Sequence, residues 1–203
     1  TAAVTNTEQV VTTTGRGITA IAPLSGNTGN ALAVQIRSRR AITLVMPGLE
    51  PGRATLSAAD FTLHSHADPD FREPLAASLL GPDRQATGCV DDRTVITETR
   101  VHLLFPRGLR DGISYQLHAP AAGLHGMAIT WWPSQVTGSI QLNQVGYAPT
   151  ARKQAYIGNW LGTAGPMPVE ARRFTVIDAS SGDTVLEGEL ELRVASDTWS
   201  GND

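Results

Sequence analysis

The sequence is poor in cysteine, lysine and aromatic residues, and each scarcity narrows what the chain can be. Cys89 is the only cysteine among 203 residues, so no disulfide can form within the sequence. We expect a partly buried free thiol; a bond to a cysteine beyond Asp203 is the alternative. Lys153 is the only lysine, and the net charge of -3 comes without a basic tract, which argues against nucleic-acid binding.

Long apolar runs are also missing. None approaches the ~20 residues that a transmembrane helix needs, and no charged-then-apolar leader opens the chain. We therefore expect no membrane span. A chain that begins at Thr1 fits a processed protein, secreted or periplasmic, as well as one trimmed at its start.

Sustained helical periodicity is absent, and short β-like runs separated by Gly, Pro and Asp take its place. The clearest is Thr99 to Phe105, within the predicted strand Val95 to Phe105, where Val101, Leu103 and Phe105 lie on one face. Such spacing is typical of an all-β sandwich. The other runs predicted as strands of a first sandwich are Ile18 to Ala22, Ala31 to Ile36, Ile42 to Met46, Phe61 to His64, Ala76 to Leu80, Ser114 to His118 and Met127 to Trp132. Between them, Asp111-Gly112 supplies turn residues for a late hairpin.

A polar stretch with Pro and Gly, Pro133 to Ser139, is the candidate linker. It divides the chain into an amino-terminal β-sandwich, residues 1–136, and a second, shorter module, residues 137–203. The second module contains predicted strands at Ala155 to Trp160, Arg173 to Ala179 and Thr184 to Leu192, and the segment Asp178 to Asp183 is predicted to form a hairpin turn.

Candidate metal ligands occur at one place. His64 and His66 share a face of a predicted strand, and Asp68 follows in the next loop, a set of donors that suits zinc. The alternative is a solvated surface loop, which Pro69 favours.

Trp131 and Trp132 are candidate carbohydrate-binding residues, because pyranose rings stack their C–H faces on exposed indoles. The two are adjacent, so in a strand they point to opposite sides and only one can be exposed. Packing in a core or between domains is the alternative. The acidic pairs of the chain are explained by turns and exposed strands, so no catalytic residue is assigned.

The stretch from Ile140 to Pro149 carries a resemblance to a known family. It resembles the first strand of the immunoglobulin-like module that precedes the catalytic barrel in family 9 glycoside hydrolases, the cellulase-type endoglucanases. That strand reads Asn-Gln-Val-Gly-Tyr, followed by a Pro and a Lys. The matching residues here are Asn143, Gln144, Val145, Gly146, Tyr147, Pro149 and Lys153. The resemblance continues through Arg173 to Val185 and the segment Asp197 to Gly201.

The resemblance implies two tandem immunoglobulin-like sandwiches, forming the non-catalytic amino-terminal part of a secreted enzyme that hydrolyses β-glucan with inversion. The second module would brace the catalytic barrel, with Tyr147 and Trp199 packing between domains. No cofactor is expected in this chain, whereas the parent's catalytic domain commonly binds calcium or zinc. The family's last strand would follow Asp203, so we expect it from elsewhere, most simply from a nicked remainder of the same polypeptide. A free carbohydrate-binding module and a structural or adhesive tandem immunoglobulin-like protein are the alternatives.

Overall fold

The computed structural model describes residues 21–23, 31–46, 56–89, 94–133, 135, 137–143 and 145–193. Its strands are β1 Ile21–Pro23, β2 Ala31–Ile36, β3 Ala41–Met46, β4 Thr62–His64, β5 Leu75–Ala76, β6 Leu79–Cys89, β7 Val95–Leu104, β8 Ser114–Ala119, β9 Leu124–Thr130, β10 Ile140–Leu142, β11 Ala155–Ile157, β12 Arg173–Ile177 and β13 Thr184–Glu189. Short 3₁₀ turns lie at Ala58–Asp60, Pro69–Phe71, Pro120–Ala122 and Gly162–Ala164. The all-β prediction is confirmed.

The first nine strands form two antiparallel sheets. One sheet has the order β1-β2-β3-β7-β6, and the other has the order β5-β4-β8-β9. The two sheets share one apolar core, as in an immunoglobulin-like sandwich. Its fully buried large side chains are Ile36, Ile42, Leu44, Phe61, Leu63, Phe71, Leu103, Phe105, Leu109, Tyr115 and Leu117.

Tyr115, at the start of β8, fixes the connection that leads into that strand. Its hydroxyl accepts a hydrogen bond from the backbone N–H of Arg110 at 2.8 Å and donates one to Asp68 Oδ2 at 2.6 Å. A tyrosine that bonds to the backbone a few residues upstream at a strand-to-strand corner is a hallmark of immunoglobulin-like folds. Burial and the bond to Asp68 raise the pKa of Tyr115 to about 12, against the opposing effect of the Arg110 N–H.

Two predictions about the strands of this sandwich were wrong. The segment after β7 is not the loop of a hairpin, because β7 and β8 lie in different sheets. Gly112 does lie in a turn and adopts a left-handed conformation, with φ of +71°. The single strand predicted at Ala76 to Leu80 is split into β5 and a much longer β6, which runs through Pro82 because β6 is an edge strand.

Two further details concern the ends of strands. Cys89 is free and exposed at the end of β6, where partial burial was expected. The predicted turn from Asp178 to Asp183 is confirmed: the Asp178 N–H donates to the Asp183 carbonyl at 2.8 Å, and Gly182 has φ of +80°.

The second module consists, in the part of it that the structure describes, of two separate antiparallel hairpins. β10 pairs with β11, and β12 pairs with β13. An isolated two-stranded hairpin is only marginally stable in water. The hairpins therefore need support from other parts of the protein or from a partner.

Candidate functional site

The corner between β10 and β11 is organised by Asn143 and Gly146. The Asn143 side chain accepts a hydrogen bond from the Val145 N–H at 3.0 Å, and its carbonyl accepts one from the Gly146 N–H at 3.2 Å. Gly146 has φ of +98°, a conformation that residues with a Cβ rarely adopt. Asparagine and glycine at this spacing thus set the path of the backbone.

Tyr147 closes the same corner with its hydroxyl group. The hydroxyl accepts from the Asn143 N–H at 3.3 Å and donates to the carbonyl of Gln154. Its ring is half-buried within its own module. An interdomain role for Tyr147 stays a prediction, and Trp199 lies outside the described residues.

Lys153 binds the backbone of the corner through its ammonium group. The three carbonyls that accept from Nζ are those of Ala148 at 3.2 Å, Pro149 at 2.7 Å and Ala151 at 3.0 Å. One positive charge with three donors thus binds three carbonyls of the loop, of which that of Ala148 also accepts from the Ala151 N–H at 3.0 Å. The only lysine of the chain therefore has a structural role that accounts for its place in the motif.

A second cluster of buried side chains joins the two modules. Leu161 and Met167, from the segment after β11, pack on Ala41 of β3 and Leu104 of β7. Leu161 is 1% exposed and Met167 is 6% exposed. Among the described residues of the second module these are the buried apolar side chains, and both are buried against the outer face of the first sandwich. We call this contact the junction.

Glycines allow the two backbones of the junction to approach closely. A Cβ on Gly81 of β6 would lie 1.8 Å from the Leu161 carbonyl oxygen, and a Cβ on Gly162 would lie 2.5 Å from the Pro82 carbonyl oxygen. Gly162 also has φ of +59°. No larger residue fits at either position without separating the modules.

Polar contacts extend the junction to the predicted linker and to the segment after Met167. Thr137 donates its hydroxyl hydrogen to the Arg37 carbonyl at 3.1 Å, and the side chain of Arg40 pairs with Glu170. Ser139 is 1% exposed. The carboxyl-terminal part of the predicted linker is thus in contact with the first sandwich.

His102 lies buried on the outer face of β7, the face that also carries the junction. Thr43 Oγ1 accepts a hydrogen bond from Arg37 Nε at 3.1 Å and shares a second one, 2.8 Å long, with His102 Nδ1. Burial first, and then the positive charges of Arg37 and Arg100, lower the pKa of His102 to about 4, with Asp83 opposing the shift.

The two adjacent tryptophans have different environments. Trp131 is half-buried and packs against the core of the first sandwich. The guanidinium carbon of Arg39 lies over its ring, 5.7 Å from the ring centroid. Trp132 is 51% exposed. The six-membered part of its indole lies against Gly112, where an added Cβ would meet ring atoms at 3.0 Å. Only Trp132 is therefore available as an exposed aromatic surface.

The predicted metal ligands are brought together only in part. The rings of His64 and His66 make an edge contact, with centroids 4.4 Å apart. Asp68 is fully buried, and its carboxylate accepts from Tyr115 and from Arg110 Nε, the latter at 3.2 Å. Within the described ranges no group of three His, Cys, Asp or Glu side chains could hold a metal ion. Zinc binding here stays a prediction that rests on the two histidines.

The corner, the junction segment and the two hairpins all lie in the region that a comparison with protein families identifies. Residues 135–203 match the family of the cellulase N-terminal Ig-like domain. The family resemblance that was inferred from the Asn143 to Lys153 motif is thereby confirmed. Residues 135–203, which follow the first sandwich, are thus similar to an Ig-like domain found at the amino terminus of cellulases.

Comparisons of the chain with curated proteins and with solved structures gave no significant match. As for membrane insertion, the part of the chain that the structure describes holds no helix with the length and apolar character needed to span a bilayer.

Proposed function

We propose that this chain is the non-catalytic amino-terminal region of a secreted or periplasmic glycoside hydrolase of the family 9 type. Its Ig-like module braces the catalytic barrel of the same polypeptide, or of a nicked remainder of it. The observation that carries the proposal is the family match over residues 135–203, because the matched domain is described by its place in cellulases.

The surface of the second module supports a bracing role. Large apolar side chains are exposed on both of its hairpins, and on β12–β13 they occupy both faces, since neighbouring residues of a strand point to opposite sides. The exposed fractions are 51% for Ile140, 60% for Leu142, 43% for Val176, 57% for Ile177, 61% for Val185 and 56% for Leu186. Contiguous exposed apolar surface marks a contact with another macromolecular surface. The proposed occupant is the catalytic domain.

The junction supports the same role. A domain can hold the barrel in place only if it is itself attached to a rigid body. The contacts of Leu161 and Met167 attach the second module to a well-packed sandwich. At Gly81 and Gly162 the backbones of the two modules also approach each other closely. The first sandwich then acts as the anchor of the brace.

In this proposal the catalytic chemistry belongs to the parent's barrel. Inverting hydrolysis of a β-linked polysaccharide needs one carboxylic acid and one carboxylate on opposite sides of the scissile bond. Those groups, and any calcium or zinc, would be supplied by the catalytic domain. The present chain contributes stability and position, and meets the polysaccharide through its parent.

The bracing role is tested by removing the exposed apolar surface from the longer polypeptide that contains the catalytic domain. Val176 and Leu186 are cross-strand partners on one face of β12–β13, so Val176→Ser with Leu186→Ser removes two exposed apolar side chains from that face. Losing two half-exposed apolar contacts is worth about 2 kcal/mol, which corresponds to a fall of roughly 4 to 8 °C in the unfolding midpoint of the barrel.

The matched control is Val95→Ser with Ile96→Ser, which are exposed by 54% and 47% on the first sandwich. That pair should leave the barrel's midpoint unchanged. Equal midpoints for the two double variants would contradict the bracing role. Hydrolysis of a soluble cellulose derivative by the present chain alone would contradict its non-catalytic assignment.

A further inference from the structure

Histidine supplies nearly all of the ionisable side chains in the second sheet of the first sandwich. The strands β4, β5, β8 and β9 contain no Asp, Glu, Lys or Arg. Their histidines are His64, His118 and His125, and their other ionisable residue is Tyr115, whose hydroxyl is engaged with Asp68. A sheet of this composition offers imidazole as its main ligand for a metal ion, and imidazole suits zinc and copper.

The antiparallel register places His118 of β8 directly opposite His125 of β9. Both side chains point away from the core, because the adjacent cross-strand pair, Ala119 and Leu124, is fully buried and successive residues of a strand alternate between faces. Directly opposed residues have Cβ atoms about 4.5 to 5.5 Å apart. The two imidazoles are therefore close enough to bind one ion.

A β-bulge lies beside this pair and opens a gap on the same face. The register shifts between Leu117 and His118, which leaves Gly126 as the additional residue of β9, with φ of +117°. A Cβ on Gly126 would lie 3.8 Å from Nδ1 of His118 and 3.6 Å from Oε1 of Gln116. Because Gly126 has no side chain, a ring nitrogen and an amide oxygen lie around the same open space.

The polar groups around this gap are not used elsewhere in the part of the chain that the structure describes. The side chains of Gln116, His118 and His125 take part in no hydrogen bond or ion pair with another described residue. The strands that carry them are fixed by the core, since Leu117 and Leu124 are fully buried. Donors held on a rigid sheet lose little conformational entropy when they bind an ion.

We propose that His118 and His125, together with the Gln116 amide oxygen, bind one divalent transition-metal ion of the class that prefers imidazole, Zn²⁺ or Cu²⁺. Water takes the fourth position of a tetrahedral zinc ion. One donor is an amide, so the site differs from the groups of three His, Cys, Asp or Glu side chains that the described residues lack. It also differs from the predicted pair of His64 and His66. Ca²⁺, which takes six to eight oxygen ligands, does not suit it.

The experiment is calorimetric titration of the full chain with Zn²⁺ near neutral pH. It uses a background variant in which His64→Asn, His66→Asn and Cys89→Ser remove the other pair of histidines and the exposed thiol. The background variant should bind one equivalent of Zn²⁺ and no Ca²⁺. Adding His118→Gln or His125→Gln should weaken Zn²⁺ binding by at least ~tenfold in apparent Kd, because one ion needs both rings. Adding Gln116→Ala should weaken it by a smaller factor.

Ser114→Ala is the matched control, since Ser114 is an exposed polar residue of β8 on the same face. It should bind Zn²⁺ as the background variant does. Unfolding in urea gives a second measurement: Zn²⁺ should raise the midpoint of the background variant but not that of His118→Gln. Absence of binding by the background variant, or undiminished binding after His118→Gln, overturns the site. Retention of half an equivalent by each single histidine variant would show two separate ions and overturns the shared site.

Discussion

Replacing Gly81 with alanine tests the junction at the point where the two modules approach most closely. Gly81 is buried in β6, and its φ lies outside the left-handed region, so alanine suits the strand itself. The added methyl carbon would lie 1.8 Å from the Leu161 carbonyl oxygen and 2.8 Å from both Cβ and N of Ala164. Two of these are backbone atoms and the third is the Cβ of an alanine, so none of them can rotate away as the end of a flexible side chain would.

The size of the effect follows from the geometry. Ordinary Cβ contacts do not fall below 3.0 Å, so the two backbones must separate by about 1 Å or more. Overpacking of this kind costs roughly 1 to 3 kcal/mol. If the junction opens instead, the burial of Leu161 and Met167 is lost, at about 1.5 to 3 kcal/mol for each side chain. We expect a loss of about 3 kcal/mol.

The assay is urea unfolding followed by tryptophan fluorescence. With a slope of about 2 kcal/mol per molar urea, a loss of ~3 kcal/mol lowers the midpoint by about 1.5 M. Gly88→Ala is the control on the same strand, because a Cβ there meets only Ile96 Cδ1, at 3.9 Å. It should change stability by no more than ~0.5 kcal/mol. A Gly81→Ala midpoint equal to that of Gly88→Ala would refute the close packing of the junction.

Three further predictions concern buried or charged groups. The pKa of His102 is lowered from 6.5 to about 4, so the folded protein favours the neutral ring. The free energy of unfolding that this preference contributes is fully present above pH 6.5 and is lost as the pH falls towards 4, by at most about 3 kcal/mol. The variant His102→Asn should remove this pH dependence from the stability measured by urea unfolding. Tyr115→Phe leaves the buried Asp68 carboxylate without its 2.6 Å hydrogen bond and should cost about 1 to 3 kcal/mol in the same assay, whereas an unchanged midpoint would show that this bond adds nothing. Lys153→Met removes three hydrogen bonds to carbonyls of an exposed loop and should lower the free energy of unfolding by about 1 kcal/mol or less. Hydrogen exchange at the Gly146 amide should become faster. Exchange as slow as in the wild type would contradict the role of the ammonium group.

Local signals were sufficient for several parts of the structure. Alternation in Val95 to Phe105 predicted β7, and Asp178 to Asp183 predicted a hairpin turn, because side-chain period and turn chemistry act over a few residues. The extension of β6 beyond Leu80 was missed, since Gly81 and Pro82 indicate a turn unless the strand is known to lie at an edge. The largely apolar run from Ala41 to Met46 is typical of a strand that is buried on both faces, and all six residues are buried in the structure. The sequence of the strand does not identify the residues that cover its outer face.

Contacts between distant residues decided the candidate sites. The sequence showed that only one of Trp131 and Trp132 could be exposed, and the turn at Gly112 determined that it is Trp132. The sequence favours a surface loop at Asp68. In the structure the Asp68 carboxylate is buried and accepts a hydrogen bond from Tyr115, 47 positions later in the chain.

The sequence by itself determined the all-β class and the second module, because alternation, turn residues and the Asn143 to Lys153 motif express local backbone requirements. The junction, the neutral buried His102 and the exposed Trp132 were decided only by the tertiary structure. Each depends on the distance between groups far apart in the chain, such as Gly81 and Leu161, and side-chain burial follows from that packing and not from neighbours in sequence.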